Sequence, residues 1–209
     1  AEGEVVAGVH TADAASVTVG QACDLWIAAA EQNHRERSTV KQYKEWANLH
    51  IKPLLGSERL SRLTMPKVEA FKDALIETRS MAMAGKVVRG LSSVLTEAQR
   101  RGLVAQNVAK GVRVVRSSRD KRRAMIPCRD DLRALLAQSE KTSPDFRPLL
   151  MTVIFAGLRS SEIRGLRRAD LDLKAGRITV NQRADQWGVL GAPKSEAGRR
   201  SIPIPPALV

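Results

Sequence analysis

Apolar residues recur at three- and four-residue steps in four stretches of the first half of the chain, the pattern of amphipathic helices. Thr18 can cap the first, which runs through Glu31 with Val19, Ala22, Cys23, Trp26 and Ala30 on one side. Ser38 or Thr39 starts the second, with Val40, Tyr43, Trp46 and Ala47 as its apolar stripe and Lys41 and Lys44 facing elsewhere. Pro53 and Gly56 are expected to break the chain after it. Pro66 opens a third helix carrying Val68, Phe71 and Leu75. The fourth, near Met81 to Arg101, has the clearest stripe (Ala84, Val87, Val88, Leu91, Val94, Leu95, Ala98) and presents Lys86, Arg89, Ser93 and Arg100 on its other side. Trp26, Trp46 and Phe71 all fall on apolar faces, so they read as core rather than as platforms for stacked bases. Four such helices with short connections predict a compact bundle.

Beyond the bundle the pattern changes. Lys110, Arg113, Arg116, Arg119, Lys121, Arg122 and Arg123 are opposed only by Asp120, which marks a basic linker. Pro127 and Asp130 then begin a helix with Leu132, Leu135 and Leu136 expected inward. Pro148 to Phe155 is apolar on every side, so a helix there is expected to be buried. Gly157 suits the left-handed residue that ends it, and Ser160 or Ser161 can cap the next helix, whose first turn holds Glu162. Arg159 is thereby delivered to a helix start, where a cation opposes the macrodipole; its presence points to an anionic partner. Ala169 to Leu173 and Arg177 to Val180 alternate in strand fashion around Lys174-Ala175-Gly176, a hairpin signal. Asn181 to Gly191 reads as a looser turn region. Pro193 to Ile204 reads as a basic turn feeding another short strand, its prolines suited to strand ends.

A chain of 209 residues can hold two small domains, and its 43% hydrophobic content is ordinary for a globular protein. A formal net charge of +13 is not ordinary; it is the footprint of a nucleic-acid binder. Cys23 and Cys128 lie far apart, with no spacing that suggests zinc or a disulfide framework, and read as reduced thiols. No stretch reaches the roughly 20 apolar residues of a membrane span. The expected organisation is a flexible leader over 1–16, a helical domain over 17–109, a basic linker over 110–124 and a second domain over 125–209. A cytoplasmic location is the expectation.

Ala156-Gly157-Leu158-Arg159-Ser160-Ser161-Glu162-Ile163, then Leu166-Arg167-Arg168-Ala169-Asp170-Leu171-Asp172, then Pro193-Lys194-Ser195-Glu196-Ala197-Gly198-Arg199-Arg200-Ser201-Ile202-Pro203-Ile204 resembles the tyrosine recombinases, also called phage integrases. The resemblance runs from about Val17 to the last residue. It implies an all-α four-helix core-binding domain of the SAM-like kind, followed by part of an α+β catalytic domain with a small antiparallel sheet. Such enzymes use neither metal nor cofactor. A tyrosine attacks the scissile phosphate, arginines hold its non-bridging oxygens, and a lysine on a β-turn protonates the departing 5′ oxygen. Guanidinium suits the first task because it makes permanently charged, bidentate contacts, whereas a desolvated lysine can release a proton.

By this resemblance Arg159 is the first catalytic arginine, Lys194 the turn lysine and Glu162 a support for the arginine's helix. Candidate DNA contacts are Lys41, Lys44, Lys86, Arg89, Arg100, Arg119, Lys121, Arg122, Arg123, Arg164, Arg199 and Arg200. The family's His-x-x-Arg motif, its further His or Trp and its nucleophilic Tyr would all follow Lys194. This chain's three histidines are His10, His34 and His50, and its one tyrosine, Tyr43, lies on an apolar helix face. Two readings therefore stand. One is a fragment of a site-specific recombinase, partnered by double-stranded DNA and, at full length, by other protomers in a tetramer. The other is a naturally short, non-catalytic regulator that binds recombination sites.

Overall fold

The computed structural model describes residues 16–115 and 125–208. The leader expected over residues 1–16 and the linker cations Arg116, Arg119, Lys121, Arg122 and Arg123 lie almost wholly outside that range. Contacts within the chain divide it into two units, Ala1–Arg122 and Arg123–Val209.

The first unit is helical. Helix α1 (Val19–Gln32) opens with a reciprocal cap: the Gln21 N–H donates to the Thr18 hydroxyl (3.2 Å) and the Thr18 N–H to the Gln21 side-chain oxygen (2.9 Å). Helix α2 (Arg37–Trp46) passes into a π-helical turn, Ala47–Ile51, and then into a short helix α3 (Lys52–Leu55). Pro53 thus sits near the start of α3 and does not break the chain as expected. Proline lacks an N–H and its ring crowds the carbonyl four residues back; the wider π-turn just ahead absorbs that misfit without ending the helical path. Gly56 does end it.

Helix α4 (Met65–Thr78) carries Pro66 in its first turn. The longest helix, α5 (Met81–Arg100), is capped by Ser80. Its stripe is buried as predicted, with Ala84, Val87, Leu91 and Val94 fully enclosed among Trp26, Ile51, Phe71 and Leu75. Gly90 permits a close approach of α5 to Trp46, because a Cβ there would meet the Trp46 ring at 3.0 Å. Asn107 fastens the chain after α5 by donating to the Ser92 carbonyl (2.8 Å) and the Thr96 hydroxyl (3.0 Å).

The second unit mixes short helices with a small antiparallel sheet. Helices α6 (Arg129–Ser139) and α7 (Phe146–Ala156) pack on each other, and α8 (Ser160–Arg164) follows. Strands β1 (Leu171–Asp172), β2 (Arg177–Val180) and β5 (Arg200–Pro203) form one sheet in the order β1-β2-β5. The expected hairpin is present: Leu171 pairs with Ile178, and Gly176 takes the left-handed conformation (φ 60°) at the turn. The region read as a loose turn contains a second hairpin, β3 (Arg183–Ala184) with β4 (Leu190–Gly191). Ala156, Leu158, Ile178, Val180 and Ile204 make the core.

Two burial expectations need correction. The stretch from Pro148 to Phe155 is apolar on every side, yet Leu149, Val153 and Phe155 are between 42% and 46% exposed. Leu135 on α6 is 49% exposed rather than inward. The core of this unit takes α7 in at its C-terminal end, through Ala156, and Met151 is buried as well, so only part of the helix surface is covered. No helix among the described residues is long and apolar enough to cross a membrane.

Candidate functional site

Arg159 stands where α7 ends and α8 begins. Gly157 provides the left-handed turn (φ 57°) that closes α7, and buried Leu158 anchors the connection to the core. The N-cap of α8 is Arg159 itself, not Ser160 or Ser161, which form the helix's first two residues. The reason lies in Glu162, whose carboxylate reaches back to accept the Arg159 backbone N–H at 3.0 Å and so caps the helix from within. The same carboxylate accepts the Arg159 guanidinium at 2.8 Å. An anionic partner expected from the macrodipole argument is therefore present inside the chain, while 61% of the Arg159 side chain still faces solvent.

Glu162 is only 3% exposed and has a second cationic partner. Arg200, in β5, donates from Nη1 to Oε1 (3.1 Å) and from Nη2 to Oε2 (2.9 Å), a two-pronged pair between residues distant in sequence. The Arg200 pair, with the Arg159 bonds, outweighs burial and holds the Glu162 carboxyl down at about 2. Arg200 also donates to the Gly198 carbonyl (3.1 Å), at the end of the short 3₁₀ turn Glu196–Gly198. Lys194 is exposed at the entrance to that turn, between β4 and β5.

The pattern repeats nearby. Asp170, 4% exposed, accepts the Arg167 backbone N–H (3.0 Å), its Nε (3.0 Å) and its Nη2 (3.0 Å), and Asn181 donates to it at 2.9 Å. Hydrogen bonding from the Arg167 side chain, then from Asn181, holds the Asp170 carboxyl well below the usual carboxylate range. This box was missed in the sequence, although its signal is legible: arginine followed three places later by an acid, as at Arg159 and Glu162.

The other candidates separate into groups. Lys86, Arg89 and Arg100 project from the exposed face of α5, with Arg100 3.4 Å from Glu97. Lys41 and Lys44 are each beside a carboxylate, Glu45 at 4.0 Å and Glu31 at 2.7 Å. Arg164 donates to the Asp185 carbonyl at 3.2 Å, and Arg199 is exposed. Arg119, Lys121, Arg122 and Arg123 fall outside the described residues. Tyr43 stacks on Trp26 with ring centroids 3.9 Å apart, as its apolar helix face predicts.

No family model matches the chain. Among curated proteins, the chain is 23% identical over 201 residues to the prophage integrase IntR of Escherichia coli, covering 90% of this chain and 47% of that protein. It is 27% identical over 154 residues to an integrase/recombinase of Sinorhizobium fredii, covering 72% of this chain and 34% of that protein. The chain thus spans about half or less of the length of these curated relatives. Among solved structures, the Tn1549 transposon integrase in complex with a circular intermediate DNA superposes with a TM-score of 0.75 at 17% identity, over 92% of this chain and 63% of that one. A lambda integrase dimer bound to a core site gives 0.70 at 20% identity, over 90% and 49%. These likenesses establish the fold.

Proposed function

From the membership of this chain in the tyrosine recombinase family, we infer that it grips duplex DNA and presents Arg159 and Lys194 to one backbone phosphate. The observation that carries the reading is the Arg159 guanidinium, fixed on one side by a buried carboxylate and open to solvent on the other. Such a group is oriented before any anion arrives, so little of its binding energy is lost to ordering it. Lys194, on the turn leading into β5, is the proton donor to the departing oxygen. Arg164 and Arg199 extend the phosphate-facing surface. The helical unit is the SAM-like core-binding domain, with Lys86, Arg89 and Arg100 of α5 along the backbone and the linker cations Arg119, Lys121, Arg122 and Arg123 crossing it. Lys41 and Lys44 join that surface by exchanging a carboxylate for a phosphate.

In its recombinase role the protein is site-specific and needs a tyrosine and a His-x-x-Arg motif in addition to the residues described. It acts with further protomers on paired sites and requires no cofactor. Structural neighbours solved with DNA, some as dimers or tetramers, support the DNA and protomer partners of this reading. The non-catalytic regulator remains the second reading.

Both readings require phosphate contacts. Duplex affinity is expected to fall by roughly a thousandfold or more between about 50 and 200 mM salt, as for a protein neutralising several phosphates. Filter binding or fluorescence anisotropy across that range checks it; a nearly flat curve would refute the electrostatic footprint. Arg159→Ala should keep most of the affinity and lower the salt slope by about one, the share of a single phosphate contact. An unchanged slope would remove Arg159 from the interface.

A further inference from the structure

Arg200 joins two pieces of the site that the sequence keeps apart. Its guanidinium bonds the Glu162 carboxylate through both Nη atoms, and Glu162 holds both the backbone and the side chain of Arg159. Through Nη1 it also bonds the Gly198 carbonyl, which closes the turn entered at Lys194. The turn is tight in its own right: Gly198 donates to the Ser195 carbonyl at 2.8 Å, and a Cβ at Gly198 would lie 2.8 Å from that of Pro193. Arg200 itself is held in register by β2, pairing opposite Val180, with the neighbouring Thr179 and Ser201 hydroxyls 3.3 Å apart. One planar fork therefore touches the helix start that carries Arg159 and the turn that carries Lys194, from a strand fixed in the sheet.

We propose that Arg200 is a positioning residue that locks the Arg159 guanidinium and the Lys194 turn into one frame, acting through Glu162 and the Gly198 carbonyl rather than on phosphate directly. The proposal rests on the reading of Arg159 and Lys194 as phosphate-facing. Lysine cannot replace it, because an ammonium is a single point of charge and cannot span both carboxylate oxygens and a carbonyl in fixed geometry. The charge of the site would survive Arg200→Lys; its geometry would not.

Backbone amide exchange tests the lock without DNA. In Arg200→Lys the Arg159 and Gly198 amides should both exchange about tenfold faster, while β2–β5 amides stay protected. Glu162→Gln, which weakens the same fork from the other end, should loosen the same two amides. If neither amide moves, if only one does, or if the sheet amides loosen equally, the lock is refuted and Arg200 is a fold residue. Inorganic phosphate, followed by the Nε–H resonances of both arginines, supplies the second readout. Phosphate should shift the Arg159 signal in the parent chain and bind several-fold more weakly in Arg200→Lys. A shift of the Arg200 signal instead would make Arg200 a direct anion contact and overturn the proposal. If phosphate moves neither signal, the phosphate-facing reading of Arg159 fails, and the amide result alone still decides whether Arg200 locks the two segments.

Discussion

Glu162→Gln is expected to cost the second unit about 2–3 kcal/mol at neutral pH, and to lose most of that cost as pH falls to about 2. Two arguments give the same size. Removing one partner of a fully buried ion pair costs roughly 3–5 kcal/mol, but the Arg159 and Arg200 side chains are 61% and 31% exposed and can regain water, which lowers the figure. Independently, the carboxyl is drawn from 4.5 down to about 2, and at about 1.4 kcal/mol for each tenfold gain in acidity that sets a ceiling of roughly 3–4 kcal/mol, which water around the two arginines again lowers. A carboxyl depressed in the folded state stabilises it fully above the unfolded value, and that contribution is lost as pH falls through the folded value. The window therefore runs from about 4.5 down to about 2. Urea denaturation of the parent chain and the variant at neutral and acidic pH makes the comparison. Equal stability at neutral pH, or a gap undiminished at pH 2, would show that the Glu162 carboxylate does not hold this site together.

What could be read from the sequence was local. The α5 stripe, the Thr18 cap, the Gly157 stop and the turn at Gly176 each depend on residues within a few positions of one another, and all appear in the structure. The α8 cap was expected one or two residues late, at Ser160 or Ser161, because serine is the usual cap and an acid reaching back to an arginine's backbone looks the same from the sequence. The Pro53 misreading came from treating proline as a stop when a π-turn can carry the helix past it. Burial of α7 was overestimated because composition reports only what a face could bury, whereas exposure depends on what the surrounding elements cover. Arg200 could not be told from an exposed charge at all: its partner Glu162 comes from another element, and no local pattern links them. Of the candidate site, then, the residue types were legible, and the connections among them were not.

Those connections reach the β3–β4 hairpin through Gly165, and Gly165→Ala is expected to destabilise the second unit by about 1–3 kcal/mol or more. The cause is not conformational freedom, since Gly165 has φ −93° and ψ −1°, which alanine tolerates. A Cβ there would lie 2.6 Å from both the Cα and the carbonyl carbon of Arg183 and 2.8 Å from the Ala184 nitrogen. All three are backbone atoms, so no side-chain rotation relieves the clash, and β3 must move away from α8. Moving it strains the bond from Gln182 to the Gly165 carbonyl (2.8 Å) and the one from Arg183 to the Ala192 carbonyl (2.9 Å), which anchors the segment just before Lys194. Gly157 is the control with the opposite physics: its φ of 57° strains any side chain, but no atom lies within 4 Å of a Cβ there. Gly157→Ala should therefore cost about 1 kcal/mol from backbone strain alone and leave β3 in place. Denaturation midpoints and amide exchange at Arg183 and Ala184 separate the two. A Gly165→Ala variant as stable as the parent, with Arg183 and Ala184 equally protected, would mean that the close approach of α8 to β3 does not set the position of the Lys194 segment.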